Sequence, residues 1–152
     1  VPAVYLEDIE VGQTFRSETR VVTAEDIARF CQVSGDFNTL HTDDTAAHAA
    51  GFRERIAHGL LVLSITSGLS DAASDWALNA YLEETRVFVA PVYPGDAIRT
   101  VTRVTEVRRS TSRPDRGIVR TAVEVVNQDG EVVQSGIDVA MVAARPAEGT
   151  SQ

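Results

Sequence analysis

The sequence contains no lysine: all 14 basic side chains are arginine. Schiff-base chemistry on a lysine is thereby excluded. Cysteine is almost as scarce. Cys31 stands alone, so the chain forms no disulfide within itself and builds no cysteine-based metal cluster. Positive charge is in deficit too, because 22 acidic residues set the net charge at −8. That balance argues against a general nucleic-acid binder, whose affinity comes from neutralising phosphates. No apolar run is long enough to span a bilayer, since the richest one, Leu60 to Leu69, is interrupted by Ser64, Thr66 and Ser67. Val1 to Ile9 shows no basic stretch leading into an apolar core. The expectation is a cytoplasmic protein whose partners are small molecules or other proteins, not membranes.

At 152 residues the chain suits one domain with a full hydrophobic core. No internal repeat interrupts it, and only the Pro/Gly/Ser/Thr-rich end reads as a tail, which predicts a domain over 1–145 and a flexible segment over 146–152. Thr23 to Ser34 predicts a helix: Thr23 caps it, Asp26 sits three residues later, Ile27, Phe30 and Cys31 share a face, and Gly35 ends it. A loop and a short Ala-rich segment follow, the latter at Asp44 to Ala50. A second long helix is expected from His58 to about Ser70, with Leu60, Leu61, Leu63, Ile65 and Leu69 pointing to several sides, as in a helix buried mid-fold. The second half is dense in Val and Thr and predicts strands at Arg86–Val89, Ile98–Val107, Ile118–Val126 and Val132–Val142, with Phe15–Val22 as an earlier one. Val119, Thr121, Val123 and Val125 should face inward, as should Val133, Ile137, Val139 and Met141. The order predicts an α+β fold, one antiparallel sheet around a central helix.

Two polar clusters carry candidate chemistry. In Ser34-Gly35-Asp36-Phe37-Asn38-Thr39-Leu40-His41-Thr42-Asp43, a turn can bring Asp36 and His41 onto one water, with Asn38 fixing the turn. Taken alone, the same residues also fit a structural surface turn. In Phe52-Arg53-Glu54-Arg55-Ile56-Ala57-His58-Gly59-Leu60-Leu61, the free amides of a helix start favour negative charge, and Gly59 leaves them unobstructed. A carbonyl turning enolate-like would be stabilised there. His58 reads as a buried, hydrogen-bonded histidine, and Cys31 as core.

Together the clusters resemble the hydratase signature of the MaoC-like family of (R)-specific enoyl-CoA hydratases and dehydratases. Gly35, Asp36, Asn38, Leu40, His41 and Asp43 match its first part, Ala47 and Phe52 its middle, and Ile56-Ala57-His58-Gly59-Leu60-Leu61 its second part. Glu10-Val11-Gly12 and Pro91-Val92-Tyr93-Pro94-Gly95-Asp96 extend the likeness over most of the chain. The resemblance implies a hotdog fold, Asp36 and His41 as the acid–base pair, and the Gly59 amide as oxyanion donor. It implies syn addition of water to a trans-2-enoyl thioester, giving a (3R)-hydroxyacyl product, or the reverse dehydration. No cofactor or metal is implied, coenzyme A or an acyl carrier being part of the substrate. Homodimers with sheets side by side are implied as well.

Thr39 stands where the family has Pro, which predicts a looser catalytic turn. This departure keeps open a non-catalytic subunit that binds acyl-CoA within a larger hydratase. A hotdog thioesterase is a third reading, disfavoured by the Asp36/His41 arrangement. Ser67, two helical turns after Gly59, is expected to touch the acyl group or else to ease a tight helix contact. Arg108, Arg109 and Arg113 could meet coenzyme A phosphates or form a solvated loop. His48 and Trp76 suggest no function.

Overall fold

The computed structural model describes residues 3–146, so the expected flexible segment lies, but for Pro146, outside the described residues. Arg145, just before it, is anchored: its guanidinium bonds Asp8 at 2.6 and 2.7 Å. The elements run β1 (Thr14–Arg16), β2 (Arg20–Val21), α1 (Ala24–Ser34), α2 (Thr39–Thr42), α3 (Asp44–Ala49), α4 (Gly59–Thr66), β3 (Leu78–Phe88), β4 (Ala97–Arg109), β5 (Arg116–Val126) and β6 (Val132–Ala143). The strands form one antiparallel sheet in the order β1-β4-β5-β6-β3, with β2 also paired to β4. With α4 packed on it, this is the expected α+β hotdog arrangement.

α1 forms as its sequence predicts. Thr23 Oγ1 accepts the Asp26 amide at 3.1 Å, Asp26 accepts the Thr23 amide at 2.9 Å, and Gly35 ends the helix at φ 75°, a conformation open to glycine. Its Ile27 joins Leu61, Val62 and Ile65 of α4 and Ile98, Val125 and Val133 of the sheet in one buried cluster. A second cluster, Leu6, Ile9, Val104, Val119, Ala140 and Val142, fills the other end of the sheet, where Trp76 packs edge-on against Phe15.

Four expectations are corrected. Phe15–Val22 is not one strand: Ser17 accepts the Thr100 amide with its hydroxyl at 2.9 Å, and the register along β4 slips before β2 resumes. The long helix stops at Thr66 and is buried on one side only, with Leu60 exposed. Thr66 and Ser67 turn their hydroxyls back to the carbonyls of Leu63 and Ser64 at 3.0 and 2.8 Å, competing with further helical bonds. β3 begins eight residues earlier than Arg86, at Leu78; as an edge strand it is exposed on most positions and shows no alternating pattern. On β6, residues opposite the inward Val119, Thr121 and Val125 are Ala140, Asp138 and Gln134, so the even positions face inward. Val133, turned by a register shift, and Val139 are buried as expected, but Ile137 is exposed and Met141 only half-buried.

Replacing the cap, Thr23→Ala, is expected to cost about 1 kcal/mol. Urea unfolding checks this; an unchanged midpoint would mean that Asp26 alone holds the helix start.

Candidate active site

The turn from Gly35 to Asp43 is fixed bond by bond. Asp36 Oδ1 accepts the Asn38 amide at 3.1 Å, and Asn38 Oδ1 caps α2 by accepting the Leu40 amide at 3.0 Å. The Leu40 carbonyl accepts the Ile56 amide at 3.0 Å, tying the turn to the irregular segment that enters α4. Thr39 is the first residue of α2, a position where Pro is favoured, and Asn38 already has the extended backbone (φ −52°, ψ 138°) that a following Pro would impose. Hydrogen bonds thus order the turn around Thr39.

Asp36, His41 and His58 converge, each with a side-chain donor or acceptor atom within 4.8 Å of the others. His41 Nδ1 lies 2.8 Å from the Ile56 carbonyl. A carbonyl only accepts, so Nδ1 carries the proton and Nε2 keeps a free lone pair. His58, 3% exposed, stacks on His41 with ring centroids 3.7 Å apart and meets the edge of Phe30 at 4.9 Å. Its Nε2 donates to the Asp36 carbonyl at 3.0 Å, beside Cys31 Sγ at 3.7 Å. Burial holds the His58 pKa below the ordinary histidine value, and the neighbouring His41 pushes it the same way. The three residues resemble a metal-ligand set in number, but two near-parallel stacked rings aim their lone pairs into parallel planes and converge poorly on one ion.

Gly59 opens α4, and His58 makes no side-chain cap, so the first-turn amides are left to a ligand. The absent side chain at Gly59 also serves close packing of the helix entry. A Cβ at Gly59 would lie 2.7 Å from the Phe88 ring, so the missing side chain makes room for Phe88. Gln134, fully buried and opposite Phe88 on β6, donates from Nε2 to the Gly59 carbonyl at 2.8 Å. Sheet and helix start are thus clamped together. Asp36, His41, His58, Gly59, Phe88 and Gln134 all line one cavity of about 700 Å³.

Sequence reasoning placed Asp36, Asn38, His41 and Gly59 together here. Ser67 is elsewhere, lining a second cavity, with its hydroxyl donated to the Ser64 carbonyl. Arg108, Arg109 and Arg113 are at the far end of β4, where Arg108 pairs with Glu106 and Arg109 with Glu7. Cys31 is core, as expected. Phe88 and Gln134 gave no signal, since their place depends on strand register; His58 was read as buried, but its stack on His41 is legible only in three dimensions.

Residues 8–127 match the family model described as a MaoC like domain. The chain is 32% identical over 130 residues to the (R)-specific enoyl-CoA hydratase of Aeromonas caviae, covering 86% of this chain and 92% of that protein. To the mitochondrial 3-hydroxyacyl-[acyl-carrier-protein] dehydratase of Arabidopsis thaliana it is 36% identical over 105 residues, covering 69% of this chain but 61% of that protein. The crystal structure of the MaoC-like dehydratase from Rhodospirillum rubrum superposes with a TM-score of 0.81 at 32% identity, over 95% of this chain and 100% of that one.

Gly59→Ala is expected to destabilise the protein by about 1–3 kcal/mol through overpacking against Phe88. Thermal melts of Gly59→Ala alone and with Phe88→Ala test the cause: the second substitution should recover much of the loss, and a failure to recover it would place the strain elsewhere.

Proposed function

The chain belongs to the MaoC-like family, and from that premise we propose that it is a hydro-lyase adding water to a trans-2-enoyl thioester, or removing it from the 3-hydroxyacyl thioester. The single observation that carries this reading is the convergence of the Asp36 carboxylate and the free His41 Nε2 beside the uncapped amide of Gly59. The substrate is an acyl thioester of coenzyme A or of an acyl carrier, with its carbonyl on the Gly59 N–H.

A water held between Asp36 and His41 donates one O–H to each acceptor. As its oxygen bonds C3 of the enoyl group, the C2–C3 double bond shifts charge onto the thioester oxygen, where the Gly59 amide and the helix dipole stabilise it. The proton taken by the Asp36/His41 pair then passes to C2. Both groups stand on one wall, so the hydroxyl and the proton reach the same face, which is syn addition. The (3R) configuration follows the family resemblance. The burial of His58 keeps a competing positive charge out of the stack and leaves the proton traffic to His41 and Asp36.

A homodimer through β3 suits the same reading. This edge strand presents Tyr81, Leu82, Val87 and Phe88 exposed, and an uncovered apolar edge invites pairing with a second copy. The buried, free Cys31 thiol suits a reducing, cytoplasmic setting. Among the described residues no helix is long and apolar enough to cross a membrane.

Loss of the conjugated absorbance of crotonyl-CoA reads the reaction directly. Asp36→Asn and His41→Ala are each expected to lower kcat by about 10²–10⁴-fold with little change in the melting temperature. Equal rates for wild type and Asp36→Asn would remove Asp36 from the chemistry, and acyl-CoA binding by the wild type without turnover would favour the non-catalytic subunit.

A further inference from the structure

A second cavity, of about 400 Å³, lies against the inward face of the sheet, lined in part by Ser67, Glu84, Arg86, Thr102, Thr121 and Asp138. The strand register explains its polarity. Thr121 on β5 is opposite Asp138 on β6, which is opposite Glu84 on β3; one step along, Val123, Gly136 and Arg86 form the next row. Gly136 has no side chain to spare, because a Cβ there would lie 1.8 Å from the Thr85 carbonyl oxygen and 3.1 Å from Arg86 Nη1. Across this gap the Arg86 guanidinium, with 5% of its side chain exposed, bonds Asp138 at 2.5 and 3.2 Å and Glu84 at 3.0 Å.

This polar band cuts the core in two, with the apolar cluster under α4 on one side and the Val104–Val142 cluster on the other. Aliphatic residues would stabilise that position at least as well as this ion triad, in which Arg86 alone is deeply buried. Thr100, Thr102 and Thr121 add hydroxyls there; each residue is more than nine-tenths buried and none makes a side-chain hydrogen bond among the described residues. Asp71 and Glu84 also line the cavity, and burial raises the pKa of both, with Asp138 adding to the effect on Glu84. The lining carries three carboxylates, Asp71, Glu84 and Asp138, against one guanidinium, so further negative charge is opposed, while Arg86 Nε is buried without a partner among the described residues.

The two cavities follow one another along the same elements. Phe88 and Gln134 wall the first, and Arg86, two residues back along β3 and about 7 Å away, walls the second. α4 passes both, from Gly59 to Ser67, about 12 Å on. Phe88, packed over Gly59 in the first cavity, is 56% exposed on the edge strand β3.

We propose that the second cavity receives the far end of the acyl chain and selects a tail carrying an uncharged group that both donates and accepts hydrogen bonds, such as a hydroxyl. An alkyl tail of equal length is disfavoured, and one ending in a carboxylate more so. This rests on the thioester-hydratase reading above. An alkyl tail would strip water from the Arg86–Asp138–Glu84 triad and the threonines and return no hydrogen bond. A hydroxyl returns one, and a site built to bond a hydroxyl rejects the analogue lacking it.

The experiment compares kcat/KM for three medium-chain trans-2-enoyl-CoA substrates of one length, ending in hydroxyl, methyl or carboxylate, with crotonyl-CoA as the tail-free reference. The hydroxyl substrate is expected to exceed the methyl one by about 10-fold or more, with the carboxylate lowest. Thr102→Val with Thr121→Val should bring the hydroxyl-to-methyl ratio near one, while Thr121→Ser, which keeps a hydroxyl, preserves it. Equal wild-type rates on the hydroxyl and methyl tails, or a ratio that survives loss of both threonine hydroxyls, would overturn the proposal. Failure to hydrate even crotonyl-CoA would instead overturn the hydratase reading beneath it.

Discussion

The peptide at Gly59 is where the helix, the sheet and the catalytic turn are joined. Its carbonyl is held by Gln134 from β6, its α-carbon is covered by Phe88 from β3, and the residue before it, His58, reaches the Asp36 carbonyl. Each contact needs a different property of this short segment: no side chain at residue 59, a buried imidazole at residue 58, and a helix start without a cap. A residue with a side chain at 59 would push Phe88 away, and a capped start would satisfy the amides that a developing oxyanion requires. The Gly59 amide and the proposed acid–base pair Asp36/His41 therefore share one anchor, which fixes their separation without relying on the turn alone.

The same anchor sets where protons reside. The Ile56 carbonyl fixes one tautomer of His41, and burial keeps His58 neutral beneath it. Water placed between Asp36 and His41 meets two acceptors and no competing donor from the stack. The Asn38 cap and the Leu40–Ile56 backbone bond hold the turn around Thr39.

Much of this was legible in the sequence, for identifiable reasons. The Thr23/Asp26 box and Gly35 act locally, so α1 and the approach to Asp36 could be read from neighbouring residues. Asp36, Asn38 and His41 interact within one turn, and Gly59 opens the next helix; these too are local. What escaped depends on pairing between distant strands. Gln134 and Phe88 become partners of Gly59 only through the β3–β6 register. The inward face of β6 was misjudged for the same reason: Gln134 and Asp138 point inward and Ile137 outward, against a rule that expects apolar residues inside. That violation marks the polar band, the place where packing yields to a different demand. α4 ends early, where the hydroxyls of Thr66 and Ser67 bond back to the carbonyls of Leu63 and Ser64.

One water, one wall and one oxyanion donor lead to a stereochemical consequence that no loosely assembled site would share. Hydration of crotonyl-CoA in D₂O, followed by NMR assignment of the deuterium at C2 relative to the hydroxyl at C3, measures it directly. The account predicts deuterium and hydroxyl added to the same face in every product molecule. Addition to opposite faces, or a mixture of the two, would contradict it.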